Sequence, residues 1–213
     1  MSLQALTPGP KPVLVVMSRW PAFGRCKRRL SASLGSAAAA TVQKALRGHT
    51  LAVASALQAE GSVEVQLAMS GGGTAPTRMQ RNLRLLPQGD GNLGLRMRRQ
   101  LLLARRRFGA RPSLIIGTDL PGLCPRDVHV AIEALSSHSL VLGPAEDGGY
   151  WLMGLAPALA ESCPEWLFSG LPWGSDQVLA MTSERAQSHG ITPVLLQRRN
   201  DIDRLEDLQP WLG

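Results

Sequence analysis

Paired cysteines are missing from this chain. Cys26, Cys124 and Cys163 are scattered, there is no CxxC, and the four histidines stand at no zinc-ligand spacing from them. A zinc module and a disulfide framework are therefore excluded, and a reducing, cytoplasmic setting is expected. No apolar run approaches the ~18 residues needed to cross a bilayer, so no membrane span is expected. Aromatic residues make up 4% of the chain and are not interleaved with its basic segments, which argues against a stacking platform for nucleic acid. Residues 1–11 contain prolines but no apolar core; they read as a disordered lead-in rather than a signal peptide.

What is present is ordinary globular composition with an unusual choice of cation. A length of 213 residues suits one full-size domain, expected over residues 12–213, and 44% hydrophobic against 18% charged residues excludes disorder. The net charge of +7 is built from 20 Arg and only 3 Lys. Most of these arginines read as solvated surface charge, but guanidinium pairs with phosphate in bidentate fashion, so a nucleotide partner is compatible.

Apolar, β-branched runs alternate with longer amphipathic ones. Strands are expected at residues 12–17, 62–69, 83–86, 113–117, 139–142, 150–154 and 191–196. Helices are expected at 36–59, capped by Ser36, and at 93–108, closed by Gly109. Others are expected at about 127–136, 176–188 and 204–212. The alternation implies an α/β Rossmann-like three-layer sandwich with a mostly parallel, mixed central sheet. The 150–154 strand follows its predecessor after only a loop, so it is the candidate antiparallel member.

In such sheets ligands bind beyond the carboxyl ends of the strands, and four motifs fall there. The first, after the opening strand, is basic: Arg25, Lys27 and Arg29 alternate and, if the loop is extended, share one side where they can grip phosphates. The second places Asp119 after LIIGT, where one carboxylate plus substrate phosphates can hold Mg2+. The third is the loop Asp147-Gly148-Gly149-Tyr150. Its glycines let backbone approach a ligand, Asp147 can bind a hydroxyl or act as a base, and Tyr150 can line the pocket. The fourth, Asp201-Ile202-Asp203, offers a second metal carboxylate, with one of the two acids free to cap the last helix. Asn92 and Gly94 open the basic helix, whose N-terminus can meet a nucleobase or phosphate. Trp173 reads as packing and the histidines as surface residues.

The stretches WPAFGRCKRRL, GNLGLRM, IIGTDLPGL, VLGPAEDGGYWLMGL, PWGSDQVL and DIDRLEDL resemble the bacterial selenodomain-associated transferase family, glycosyltransferase-like proteins of the GT-A, or nucleotide-diphospho-sugar transferase, fold. The resemblance implies nucleotide binding at the strand ends with Mg2+ or Mn2+ as cofactor. Lys27 would contact phosphate, Asp119 with Asp203 or Asp201 would hold the metal, and Asp147, Gly148 and Gly149 would line the acceptor side. Arg28 stands where the family usually has Thr, Asn92 where Asp is usual, and Thr118-Asp119-Leu120 lacks the second acid of a DxD motif. The expected partners are a nucleotide donor (a triphosphate or a nucleotide-sugar) and a small acceptor, with no specific nucleic acid. Nucleotidyl transfer is favoured over glycosyl transfer. A non-catalytic nucleotide-binding module is the alternative of another class.

Overall fold

The computed structural model describes residues 9–21, 27–71, 83–203 and 205–211. The seven-stranded sheet at its centre runs in the order β3-β2-β1-β4-β6-β5-β7. The strands are β1 (Val13–Arg19), β2 (Glu64–Ser70), β3 (Arg84–Pro87), β4 (Ser113–Ile116), β5 (Leu140–Pro144), β6 (Tyr150–Leu155) and β7 (Val194–Leu195). Every pairing is parallel except those of β6, which runs antiparallel to both β4 and β5.

Alternation along β1 explains the three layers. Leu14 and Val16 point into one apolar cluster, Val13, Val15 and Met17 into the other, and all five are buried. A strand covered on both faces must be apolar throughout, which is why VLVVM shows no polar alternation. The first cluster is sealed by α2 (Ser36–Ala59) and α4 (Pro125–Ala134) through Leu51, Leu57 and Val128. The second is sealed by α3 (Leu93–Phe108), α5 (Pro157–Ser162) and α6 (Val178–Ser188) through Met97, Leu101, Leu159 and Ala186. No helix among the described residues is long and apolar enough to cross a membrane.

Local structure departs from expectation where short-range signals compete. No helix is expected before Ser36, yet residues 28–34 form α1 (Arg28–Leu34), entered from Lys27 in the left-handed region at φ 47° and closed by Gly35 at φ 81°. Gly35 also takes the N-cap of α2, so Ser36 is its first helical residue rather than its cap. The α4 helix begins at Pro125, and Asp127 is the third residue of a capping box with Cys124. The last strand shrinks to two residues, and the C-terminal helix is a 3-10 segment, Glu206–Trp211. The lead-in expected at residues 1–11 falls mostly outside the described residues.

A small satellite core fixes the chain's end. Ile202, 3% exposed, packs with Leu30 of α1 and Leu46 of α2. Truncating it leaves a cavity that its neighbours can only partly refill, and we expect Ile202→Ala to lower unfolding stability by about 2–4 kcal/mol in urea titration. A loss below about 1 kcal/mol would mean the 201–203 segment is not anchored there.

Candidate active site

The carboxyl ends of β1, β2, β4 and β5 open onto a cleft of about 980 Å³. The loop after β5 reaches it because β5 runs the same way as β4, with β6 returning between them. Lys27, Arg29, Asp119, Asp147, Gly149, Tyr150, Asp201 and Asp203 all line it.

Lys27 is the junction of the acidic wall. Its side chain is 5% exposed, its ammonium lies 2.7 Å from Asp119 Oδ1, and it donates to the Ile202 carbonyl. The Ile202 amide in turn donates to the Asp119 carbonyl at 3.0 Å. The strand-end Asp119 and the Asp201–Asp203 segment are thus tied by one cation and one backbone bond. With Ile202 buried between them, Asp201 and Asp203 face the cleft. Asp203 accepts from Arg29 at 2.8 Å, an exposed pair that orients the carboxylate more than it stabilises the fold. Asp207 accepts from the Asp203 amide, so it is Asp207 that does the local capping.

Asp201 is the perturbed acid. Burial pushes its pKa up to about 6, and the negative charges of Asp147 and Asp119 reinforce this while Lys27 opposes it. Asp147 sits in the β5–β6 turn, lining the cleft, with Oδ1 held by the Gly149 amide at 2.9 Å. Arg199 clamps the 197–203 segment to this turn: its carbonyl accepts from Glu146, its amide donates to Pro144, and its guanidinium pairs with Asp127.

Several expected ligand residues have other occupations. Arg25 lies outside the described residues. Lys27 and Arg29 do not alternate along an extended loop, because Lys27 is left-handed and Arg29 is in α1. Asn92 is the N-cap of α3, accepting from the Leu95 amide at 3.0 Å. A Cβ on Gly94 would come within 2.1 Å of the Phe168 carbonyl oxygen and 2.6 Å of the Trp173 indole nitrogen, so Gly94 serves close packing. Gly148, at φ +83°, packs the same way on Asp176. Burial raises the Tyr150 phenol far above its ordinary pKa, so it stays neutral; its ring meets Trp173 edge-on at 6.1 Å as a wall of the cleft.

Sequence reasoning missed the polar residues that shape the other wall. Gln88, 4% exposed, donates to the carbonyls of Ser18 and Ala68 and accepts from Arg96 at 3.1 Å. Arg96 lines the cleft, its pKa lowered by burial and by the charges of Arg19 and Arg99. Gln43 donates to buried Thr118. A glutamine in a turn carries no sequence signal; only GNLGLRM pointed toward Arg96.

A mostly parallel sheet with one reversed strand, and a cleft at the strand ends, define the nucleotide-diphospho-sugar transferase fold. The same architecture occurs in a candidate nucleotide-diphospho-sugar transferase from Desulfovibrio desulfuricans G20, at TM-score 0.79 and 24% identity over 92% of this chain and 84% of that one. It also occurs in 2-C-methyl-D-erythritol 4-phosphate cytidylyltransferase from Thermus thermophilus, at TM-score 0.54 and 18% identity over 93% and 95%. A third is glucosyl-3-phosphoglycerate synthase from Mycobacterium tuberculosis in complex with Mn2+, UDP and glucosyl-3-phosphoglycerate, at TM-score 0.55 and 13% identity over 93% and 74%. No curated protein matches the chain. Residues 50–175 match the family DUF2064, described as an uncharacterized protein conserved in bacteria, and the chain belongs to that family.

Two outcomes follow from the geometry. Because the atom that a Gly94 methyl would strike is backbone, Gly94→Ala should destabilise the fold by about 1–3 kcal/mol in denaturant unfolding. Unchanged stability with weakened ligand binding would instead make Gly94 a ligand residue. For Asp201, a folded pKa near 6 above an ordinary value of 3.8 means that the native state holds the proton more tightly than the unfolded chain. Its contribution to stability therefore falls as pH rises from about 4 to about 6 and stays low above that. In chelator, Asp201→Asn should gain in melting temperature relative to the native protein across that window; a pH-independent difference would contradict the shift.

Proposed function

We propose that this protein is a metal-dependent transferase that moves a group from a nucleotide donor to a small acceptor. It would act as a single catalytic domain over residues 12–213, in the cytoplasm, as a member of the selenodomain-associated transferase group. The observation that carries the reading is the convergence of Lys27, Asp119, Asp147, Asp201 and Asp203 on one cleft at the carboxyl ends of the strands. The neighbours of this fold that carry nucleotide and Mn2+ support it.

Mg2+ or Mn2+ fits the donor set. The available ligands are hard carboxylate oxygens, and the charges of Asp147 and Asp119, which add to burial in raising the Asp201 pKa, are what a divalent cation offsets. Among the described residues no three acids, histidines or cysteines are close enough to cage an ion by themselves. Asp119 with Asp203 or Asp201 would therefore hold it together with donor phosphates, the usual mode for Mg2+. When bound there, the ion supplies charge stabilisation to the leaving phosphate.

The chain's own residues position and neutralise. Lys27, packed by its neighbours and already beside Asp119, offers a fixed point charge for a phosphate oxygen, and Arg29 adds a planar donor fork at the rim. Arg96 adds positive potential at the far wall. For nucleotidyl transfer, an acceptor phosphate attacks the α-phosphorus of a triphosphate and pyrophosphate leaves; little proton chemistry is required. This reading is favoured because Asp119 stands alone where a DxD pair would be. The unbonded oxygen of Asp147 favours a second reading, glycosyl transfer, in which it takes the proton of an attacking acceptor hydroxyl.

The test is a thermal-shift panel of nucleoside triphosphates and nucleotide-sugars, with and without Mg2+ or Mn2+, followed by turnover with the ligand found. At a hundredfold excess over Kd, binding adds about 2.7 kcal/mol, equivalent to a rise of roughly 5–10 °C for a chain this size. We expect a metal-dependent rise with one donor class, lost in Asp119→Ala. Binding without turnover under any metal would leave a nucleotide-binding module, and no rise with any nucleotide would overturn the reading.

A further inference from the structure

A dense run of arginine falls on and just after α3, and all of it but Arg96 lies outside the lining of the cleft. Between Asp90 and Asp119 there is no acidic residue, while Arg96, Arg98, Arg99, Arg105, Arg106, Arg107 and Arg111 all fall inside that interval. Most of them project from α3, and none of the seven forms an ion pair with a carboxylate among the described residues. Acids at i, i+4 would offset such charge on a helix surface, and α3 carries none. Here the helix also shows leucine on the same outward side. Leu95 is 43% exposed, and with Leu102 and Leu103 it lines a shallow groove of about 260 Å³ whose other walls are Arg98, Arg99 and Arg106.

The guanidiniums are partly pre-positioned. Arg98 donates to the Cys163 carbonyl, Arg99 to the Gln88 and Asp90 carbonyls, and Arg105 to the Glu161 carbonyl. Each carbonyl uses some of the five donors and leaves the positive charge in place, so less side-chain freedom is lost when an anion binds. Arg107 and Arg111 stack over Phe108 at the far end of the helix, and Arg106 has no hydrogen-bond or ion-pair partner among the described residues.

The chemistry of this face selects its occupant. A second copy would bring the same uncompensated arginines against their equals, and like charges in register repel. A nucleic-acid backbone would satisfy the guanidiniums but leave Leu95 and Leu103 nothing apolar to meet, and Phe108 is already covered by arginine. A layer that offers phosphates outside and hydrocarbon just beneath satisfies both. We propose that the outward face of α3, with Arg111, docks on the surface of an anionic phospholipid bilayer. The arginines pair with headgroup phosphates and the leucines enter the acyl boundary. This is attachment to a surface, independent of the transferase reading, and Leu93 at the start of the same helix lines the cleft mouth, so the site would open beside the lipid.

The experiment is sedimentation of the whole protein with vesicles of phosphatidylglycerol in phosphatidylcholine, against phosphatidylcholine alone. We expect salt-sensitive binding to the anionic vesicles only. Two arginines near such a surface are worth enough that Arg106→Gln with Arg107→Gln should weaken it about tenfold or more. Leu95→Ser with Leu103→Ser should weaken it as well while binding of a short DNA duplex is unchanged. Melting temperatures of both variants check that they fold; a variant that does not is replaced by Arg106→Gln or Leu95→Ser alone. Equal binding to neutral vesicles, or anionic binding that ignores the leucines and is shared with DNA, would overturn the proposal.

Discussion

The nearly buried ammonium of Lys27 is the point on which the acidic wall depends. It is bonded to Asp119, in the loop just past β4, and to the carbonyl of Ile202, 175 positions further along the chain from Lys27. Both partners carry negative charge or partial charge, and the apolar anchors beside them, Leu120 and Ile202, hold the backbone but leave the carboxylates to be set by the ammonium. One cation shared between them, with the amide of Ile202 closing the loop back to Asp119, holds the carboxylates at a fixed spacing. The ammonium is in turn admitted by a left-handed backbone at Lys27, which turns the chain directly into α1.

The sheet topology supplies the rest of the convergence. If β6 ran parallel to its neighbours, a long crossover would be needed between it and β5, and Asp147 would lie elsewhere. Because β6 is reversed, the short connection from Pro144 to Tyr150 stays at the same edge as the ends of β1 and β4. Asp147 and Asp119 are thereby brought close enough to Asp201 to add to the rise in pKa that its burial causes. The repulsion among these acids costs stability in the free protein and is relieved by positive charge arriving with a ligand, the pattern of strain held at a binding site.

Charge is segregated at two scales. Within the cleft the acids gather around Lys27, while Gln88 and Arg96 form a basic wall at the end nearer β3. Across the molecule, α3 carries arginine without compensating acid and turns leucine outward beside it. The two features meet at the N-terminus of α3, where Asn92 caps the helix and Leu93 reaches the cleft.

The sequence by itself determined the layers: VLVVM and LII can only be strands buried on both faces, and the 93–108 helix was legible to its ends because Asn92 and Gly109 punctuate it. It also marked which strand ends carry carboxylates, since those motifs interrupt apolar runs. It did not reveal α1, whose seven residues rest on burying Leu30 rather than on local preference. Nor could it separate glycines that meet a ligand from glycines that meet protein: Gly94 and Gly148 are explained by Phe168, Trp173 and Asp176, all distant in sequence. The tertiary structure alone decided that Lys27 faces Asp119, that Gln88 holds Arg96, and that burial raises the pKa of Asp201. Periodicity and capping act over a few residues, whereas pairing, burial and repulsion between charges depend on which distant segments the sheet brings together.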